Sequence, residues 1–151
     1  MQIAIDPLSG VPLYQQLRDR IVEGIAAREL EPGEALASVR QLAMEFGVNP
    51  ATVAKGYDLL RAEGLLTTHR SAGSVVAPGA LQGWNDPAEA AWRSRLFTLV
   101  AEAIAHGAET SRIAALLGEV LDEFPRDDER RRPGTPPTAS EKPDHRKDAR
   151  S

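Results

Sequence analysis

The chain has 151 residues, of which 42% are hydrophobic and 5% aromatic, and its formal net charge at pH 7 is −4. It contains no cysteine, which excludes disulfides, thiolate nucleophiles and cysteine-ligated metal sites. No signal peptide is recognisable at the N-terminus, and no apolar run approaches the ~20 residues of a membrane helix. We therefore expect a soluble cytoplasmic protein that does not contact a membrane.

The charge is unevenly distributed along the chain. Residues 1–79 carry seven Arg and Lys against nine Asp and Glu, a net of −2, and residues 80–124 carry three against seven, a net of −4. Residues 125–151 carry eight against six, a net of +2. A DNA-binding domain usually has a positive field, so any DNA contact in this chain must come from a few cations on one face.

Two helices are predicted in the first third of the chain. The first runs from Leu13 to about Arg28, because Pro12 suits a first helical turn and apolar residues recur every four positions after it. A Pro-Gly turn within residues 30–36 separates it from a short helix over residues 39–46.

Capping residues predict a tight turn between the second and third helices. Ser38 is expected to cap the second helix and Gly47 to end it. One residue later, Asn49 can cap a third helix that has Pro50 at its first position and runs to about Glu63.

Two short β-strands are predicted after the third helix, at residues 65–68 and 74–77, around a turn at residues 70–73. The order helix, helix, tight turn, helix, hairpin is that of a winged helix-turn-helix. The predicted fold class is therefore mainly α with a small β-hairpin.

The third helix has two different faces. At about 100° per residue, Val53, Tyr57 and Leu60 lie within about 60° of one another and are expected to pack on the first two helices. Ala51 and Lys55 lie on the opposite side. A small residue near the start lets a helix enter the major groove, which is about 12 Å wide, while a longer side chain reaches bases or phosphates. The simpler alternative is a core helix with an ordinary solvated face.

Residues 80–124 predict a helical hairpin. Apolar residues recur at three- and four-residue spacings from Pro87 to His106 and again after a cap at Thr110 or Ser111. A hairpin of this size is too small to be stable alone, so we expect it to pack against a second copy of the chain; the alternative is packing onto its own winged helix. The residues assigned to this dimer interface are Trp92, Leu96, Phe97, Leu99, Val100, Ile104, Ile113, Leu116, Leu117, Val120 and Leu121.

The last segment, residues 125–151, is charged and rich in proline, with no apolar residue larger than alanine, and is predicted to be disordered. A weaker alternative is non-specific DNA contact through Arg130, Arg131 and Arg132.

No catalytic or metal-binding pattern occurs in the sequence. His69, His106 and His145 lie in three different segments, whereas a metal site needs clustered ligands. There is no glycine-rich phosphate-binding loop. We expect no metal, no cofactor and no enzymatic activity.

The motifs "PLY", "ELEPG", "SVRQLA", "GVNPATV" and "EGLL" give residues 11–76 a resemblance to the N-terminal domain of GntR-type bacterial transcription regulators. The short two-helix remainder resembles the YtrA-like subfamily. The resemblance implies a homodimeric repressor that binds a palindromic double-stranded DNA operator and dimerises through its two C-terminal helices. It leaves open whether a small-molecule effector binds.

The resemblance also implies DNA contacts at two helix starts and at the tip of the wing. The residues concerned are Ser38, Arg40, Asn49, Pro50, Ala51, Thr52, Lys55, His69, Arg70 and Ser71. Three departures stand out: Ala37 replaces a usual proline, Pro50 and Ala54 replace arginines found in many members, and the wing keeps only the second glycine of a Gly-x-Gly. Because two arginines found in many members are replaced, we expect this protein to read a different operator from those members. The rival hypothesis, based on the acidic balance, is a protein-interaction module with the same fold.

Overall fold

The computed structural model describes residues 3–6 and 8–125. Its elements are α1 (Leu13–Ala26), α2 (Val39–Phe46), α3 (Pro50–Ala62), β1 (Leu66–His69), β2 (Gly73–Val76), α4 (Asp86–Ala105) and α5 (Thr110–Asp122). The predicted fold class, a winged helix-turn-helix followed by a two-helix hairpin, is confirmed. The tail predicted to be disordered lies outside the described residues from residue 126 onward.

Apolar residues of the first three helices and of the two β-strands form one core together with Leu30, which follows α1. Its buried members are Leu17, Ile21, Ile25, Leu30, Leu42, Ala43, Val53, Tyr57, Leu60, Leu66 and Val76. The inward face predicted for the third helix is therefore correct, and α3 lies between α1, α2 and the wing.

Glycine is required where α1 and α3 cross. A Cβ atom at Gly56 would lie 2.9 Å from the carbonyl oxygen of Tyr14 and 3.2 Å from Cδ2 of Leu17. The first distance is shorter than a side chain tolerates without a shift of the backbone. The absent side chain therefore sets how closely the third helix packs on the first.

The predicted caps of α2 and α3 are formed. The Oγ atom of Ser38 accepts a hydrogen bond from the Gln41 N–H at 3.2 Å, and the Gln41 side chain accepts from the Ser38 N–H at 2.9 Å, which completes a capping box. Gly47 ends α2 at φ 63°, and Oδ1 of Asn49 accepts from the Ala51 N–H at 2.8 Å. Each helix start is thereby fixed by its own local sequence.

The wing has a third, unpredicted chain segment beside its two strands. The strands pair antiparallel with Leu66 opposite Val76. Ala35 forms a β-bridge with Val75, and the Leu36 N–H donates to the Ser74 carbonyl at 2.9 Å. The sequence predicted only a turn here, because a pairing of one or two residues leaves no periodic pattern.

Two predicted helix limits differ from the structure. The first helix stops at Ala26, two residues before the approximate end predicted at Arg28, which has φ 63°; this left-handed residue turns the chain just before Leu30, which is buried in the core. The last helix is not capped by Thr110 or Ser111, because the N-cap position belongs to Glu109 and has no side-chain cap bond. The left-handed Gly107 at φ 87° fixes the turn that brings Glu109 there.

The helical hairpin differs from the rest of the protein in its burial. Neither α4 nor α5 buries a single residue. The side chain of Asn85 caps α4 by accepting from the Ala88 N–H at 3.0 Å, a signal that the sequence analysis overlooked. The ring of Trp84, just before α4, packs edge-on against Trp92 with 6.0 Å between centroids.

Candidate nucleic-acid interface

The ten residues assigned to DNA contact all reach the surface. Thr52 is half-buried and the other nine are exposed. Seven of them lie at the starts of α2 and α3 or on the outer face of α3, and three lie at the tip of the wing. Their exposure makes contact with an external partner sterically possible.

One buried tyrosine joins the middle of α3 to the start of α2. Tyr57 lies on the inner face of α3 with 0% exposure, and its hydroxyl donates a hydrogen bond to the carbonyl oxygen of Ala37 at 2.7 Å. Burial raises the pKa of Tyr57 to about 12, so the hydroxyl keeps its proton at neutral pH. Ala37 directly precedes the cap of α2. The sequence predicted Tyr57 only as a core residue and missed this hydrogen bond.

The capping side chain of α3 keeps donors free for a ligand. Because Oδ1 of Asn49 faces the Ala51 N–H, its amide nitrogen points away from the helix start and can donate two hydrogen bonds. Pro50 occupies the first helical turn, and the small side chain of Ala51 leaves the helix start open. Such an end favours an anionic oxygen.

The cations of the winged helix fall into two groups. In the described part up to residue 79, four of the seven form ion pairs with carboxylates: Arg18 with Glu63, Arg20 with Glu23, Arg28 with Glu31, and Arg61 with Asp58. The other three, Arg40, Lys55 and Arg70, form no ion pair within the described residues. All three belong to the set assigned to DNA contact. A segment with a net charge of −2 can therefore still present uncompensated positive charge on that set.

Lys55 has an aromatic partner instead of an acidic one. Its Nζ atom lies 3.8 Å from the ring centroid of Tyr14 on α1. The nearby carboxylate of Asp58 accepts from Nη2 of Arg61 at 2.6 Å. Tyr14 was missed by the sequence analysis, since nothing in the spacing of the two residues indicates that α1 and α3 bring them together.

The wing tip is a short turn between paired strands. His69 lies opposite Gly73, which has φ 74°, so the remaining glycine of the family motif is the one that the backbone requires. The Ser71 hydroxyl lies 3.2 Å from Nδ1 of His69. One residue from the His69–Gly73 pair, the Ser74 hydroxyl accepts a hydrogen bond from Nη1 of Arg61 at 3.2 Å, which ties β2 to the end of α3.

The described residues contain neither a metal-binding cluster nor a membrane-spanning helix. No group of three or more His, Cys, Asp or Glu within residues 3–6 and 8–125 could hold a metal ion. In the same part of the chain, no helix has both the length and the hydropathy of a membrane span. His145 lies outside the described residues.

Known proteins resemble both parts of this chain. Residues 13–76 match the gntR family of bacterial regulatory proteins. The HTH-type transcriptional repressor YtrA of Bacillus subtilis (strain 168) is 30% identical over 118 residues, which cover 78% of this chain and 91% of the relative.

Two solved structures extend the likeness to the fold. A transcriptional antiterminator from Listeria monocytogenes EGD-e has a TM-score of 0.75 and 26% identity, over 84% of this chain and 96% of that one. YtrA from Sulfolobus acidocaldarius, a GntR-family transcription factor, has a TM-score of 0.53 and 37% identity, over 68% and 97% of the two chains. This chain belongs to the GntR family and is a small DNA-binding transcription regulator of the YtrA type, not an enzyme.

Proposed function

We propose that this regulator is a homodimeric repressor that binds a palindromic operator in the cytoplasm. Residues 1–79 form its DNA-binding domain and residues 80–124 its dimerisation hairpin, followed by the tail of residues 125–151. The name of the Bacillus subtilis relative, a transcriptional repressor, supports repression. The uncompensated cations of the winged helix are the observation that carries the DNA-binding part of the proposal.

The start of α3 is the part best suited to enter a major groove. Pro50 and Ala51 are exposed and carry no long side chain, so the helix can approach the base edges closely. The amide of Asn49 and the hydroxyl of Thr52 supply hydrogen-bonding groups at that depth. Arg40 lies in the first turn of α2, three residues after Ala37, and is the residue that we expect to read a base.

The wing and the start of α2 supply backbone contacts in this proposal. Ser38 uses its oxygen to accept from the Gln41 N–H, which leaves its hydroxyl proton for a phosphate. The exposed turn at the tip of the wing, which depends on the left-handed backbone of Gly73, carries His69, Arg70 and Ser71. Contacts of this kind fix the register of a protein on DNA without reading its sequence.

The hairpin supports the homodimer. Its apolar side chains are widely exposed, with 76% for Phe97, 62% for Leu99 and 61% for Leu121. Between α4 and α5 lies a groove of about 220 Å³. Its lining is entirely apolar and consists of Leu96, Leu99, Val100, Ala103, Ile113, Leu116, Leu117 and Val120. Exposed apolar surface of this extent marks an interaction site, and a second hairpin has the matching surface.

A gel-shift experiment tests the DNA-binding part. The purified protein is titrated against its own upstream DNA and against a pool selected from random duplexes, with a scrambled competitor and a salt series. We expect a gel shift that resists the competitor. The affinity should fall steeply with salt, because each phosphate contact releases counterions. If neither the upstream DNA nor the selected pool is shifted, the rival protein-interaction module becomes the better account.

A further inference from the structure

Tyr14 lies where α1 passes closest to α3. Its carbonyl oxygen is the atom that a Cβ at Gly56 would approach to 2.9 Å, so the backbone of Tyr14 packs closely against α3. Its half-buried ring contacts the ammonium of Lys55, the residue next to Gly56, with 3.8 Å from Nζ to the ring centroid. Two separate contacts thus place this tyrosine at the edge of the candidate DNA interface.

The choice of partner for Lys55 has an electrostatic consequence. Asp58 lies three residues further along α3, at a spacing where a Lys–Asp pair is common, but its carboxylate is engaged by Arg61 at 2.6 Å. An aromatic face attracts an ammonium through its quadrupole and carries no net charge. A carboxylate would orient Lys55 and also neutralise it. The tyrosine ring orients Lys55 while the positive charge stays available.

We propose that Tyr14 is a positioning residue for DNA binding, which holds the ammonium of Lys55 ready for a phosphate of the DNA backbone. This inference rests on the proposed function, in which Lys55 contacts DNA. Lysine acts on phosphate as a point charge and does not have the planar fork that reads guanine bidentately. The tyrosine ring reduces the conformational freedom that Lys55 would otherwise lose on binding. Lys55 therefore contributes to affinity on every DNA sequence, and Tyr14 strengthens that contribution.

A double-mutant cycle tests the proposal. The variants are Tyr14→Leu, Tyr14→Phe, Lys55→Ala and the double variant Tyr14→Leu with Lys55→Ala. Binding is measured by fluorescence anisotropy on a labelled duplex selected from random DNA and on a scrambled duplex of the same composition, across a salt series. Thermal unfolding of each variant verifies that it is folded at the assay temperature. Tyr14→Met replaces Tyr14→Leu if the latter does not fold.

We expect the following binding affinities for the variants. Lys55→Ala weakens binding to both duplexes by a similar factor and lowers the slope of log affinity against log salt by about 1. Tyr14→Leu weakens binding about two- to fivefold, and that loss disappears in the Lys55→Ala background. Tyr14→Phe, which keeps the ring face, stays within about twofold of the unmodified protein.

Other results overturn the inference and leave the DNA interface standing. Equal losses for Tyr14→Phe and Tyr14→Leu would mean that the hydroxyl itself contacts DNA. A loss in Tyr14→Leu that persists without Lys55 would mean that the ring only supports the fold, and no loss in Tyr14→Leu would mean that it has no role in binding. If Lys55→Ala binds both duplexes as tightly as the unmodified protein does, the assignment of Lys55 is wrong. If neither duplex is bound by any form of the protein, the proposed function itself fails.

Discussion

The winged helix and the helical hairpin use the same kinds of apolar residue with opposite results. In the winged helix, Ile21, Tyr57, Leu60 and Val76 are each 0% exposed. In α4 and α5 no residue is buried, and the side chain of Phe97, for example, is 76% exposed. The first region forms its own core, whereas the second has apolar faces that only another surface can cover. This difference in burial is the basis of the proposal that the helical hairpin packs against a partner while the winged helix has a core of its own.

The largest expected effect comes from placing a charge on the hairpin. Leu99→Lys puts an ammonium on the exposed apolar face of α4, where a partner hairpin would have to desolvate it. We expect a monomer whose winged helix is still folded, and an operator affinity lowered by about 100-fold or more, because a monomer loses the effective concentration that the second binding unit provides. Sedimentation equilibrium and anisotropy measure the two effects.

The matched control for that variant is Leu8→Lys. Leu8 is 96% exposed and lies in the N-terminal segment, outside both proposed interfaces. The same substitution there should leave the protein dimeric with unchanged operator affinity. If Leu99→Lys also remains dimeric, the hairpin is not the dimer interface.

The next prediction tests whether the cations of the winged helix that form no ion pair bind DNA while the paired ones do not. Arg40→Ala removes an uncompensated charge at the start of α2 and should weaken operator binding by about 1–3 kcal/mol, since we expect this arginine to read a base. Arg20→Ala removes an exposed arginine whose charge is paired with Glu23 at 2.6 Å and should change binding by less than about 0.5 kcal/mol. Equal losses of operator affinity in Arg40→Ala and Arg20→Ala would show that ion pairing does not distinguish the arginines that bind DNA from those that do not.

A glycine-to-alanine pair compares the packing of the two regions directly. Gly56→Ala places a Cβ 2.9 Å from the Tyr14 carbonyl oxygen, so we expect the free energy of unfolding to fall by about 1–3 kcal/mol. A Cβ at Gly118 in α5 meets nothing within 4 Å, and Gly118→Ala should raise stability by about 0.5–1 kcal/mol through helix propensity. Urea unfolding measures both, and a loss at both positions would contradict the contrast in packing.

The smallest effect concerns the hydrogen bond that joins the middle of α3 to the start of α2. Tyr57→Phe removes the donor to the Ala37 carbonyl oxygen and should cost about 1 kcal/mol of unfolding free energy at neutral pH. Because burial raises the pKa of Tyr57 from 10.0 to about 12, the native state holds this proton more tightly than the unfolded chain does. Its contribution to stability is therefore complete below pH 10 and is lost as the pH rises through about 12.

Unfolding curves recorded from pH 9 to pH 12 test that dependence. The free energy of unfolding of the unmodified protein should fall more steeply above pH 10 than that of Tyr57→Phe. Parallel curves would mean that Tyr57 does not titrate abnormally in the native state.

The sequence predicted the features that local chemistry determines. The caps at Ser38 and Asn49 and the end of α2 at Gly47 depend on a few neighbouring residues, and all three are confirmed. The early end of α1 was missed because it follows from the burial of Leu30, several residues beyond the periodic pattern. The pairing of Ala35 with Val75 was missed because it joins segments 40 positions apart.

The candidate site was predictable as a set of surface positions but not as a set of contacts. The exposed starts of α2 and α3 follow from helix periodicity and caps. The hydrogen bond from Tyr57 to Ala37 and the ring of Tyr14 beneath Lys55 depend on how closely the helices cross, which no spacing in the sequence records. The assignment of individual residues to DNA contact remains a prediction.

Hydroxyl-radical footprinting on a duplex selected from random DNA tests the central claim most directly. A homodimer that places the α3 helix of each winged helix in the DNA should protect two half-sites related by a twofold axis. Their centres should lie about 10 base pairs, or a multiple of that, apart. A single protected patch without twofold symmetry, on DNA that the protein binds specifically, would contradict a dimer on a palindromic operator.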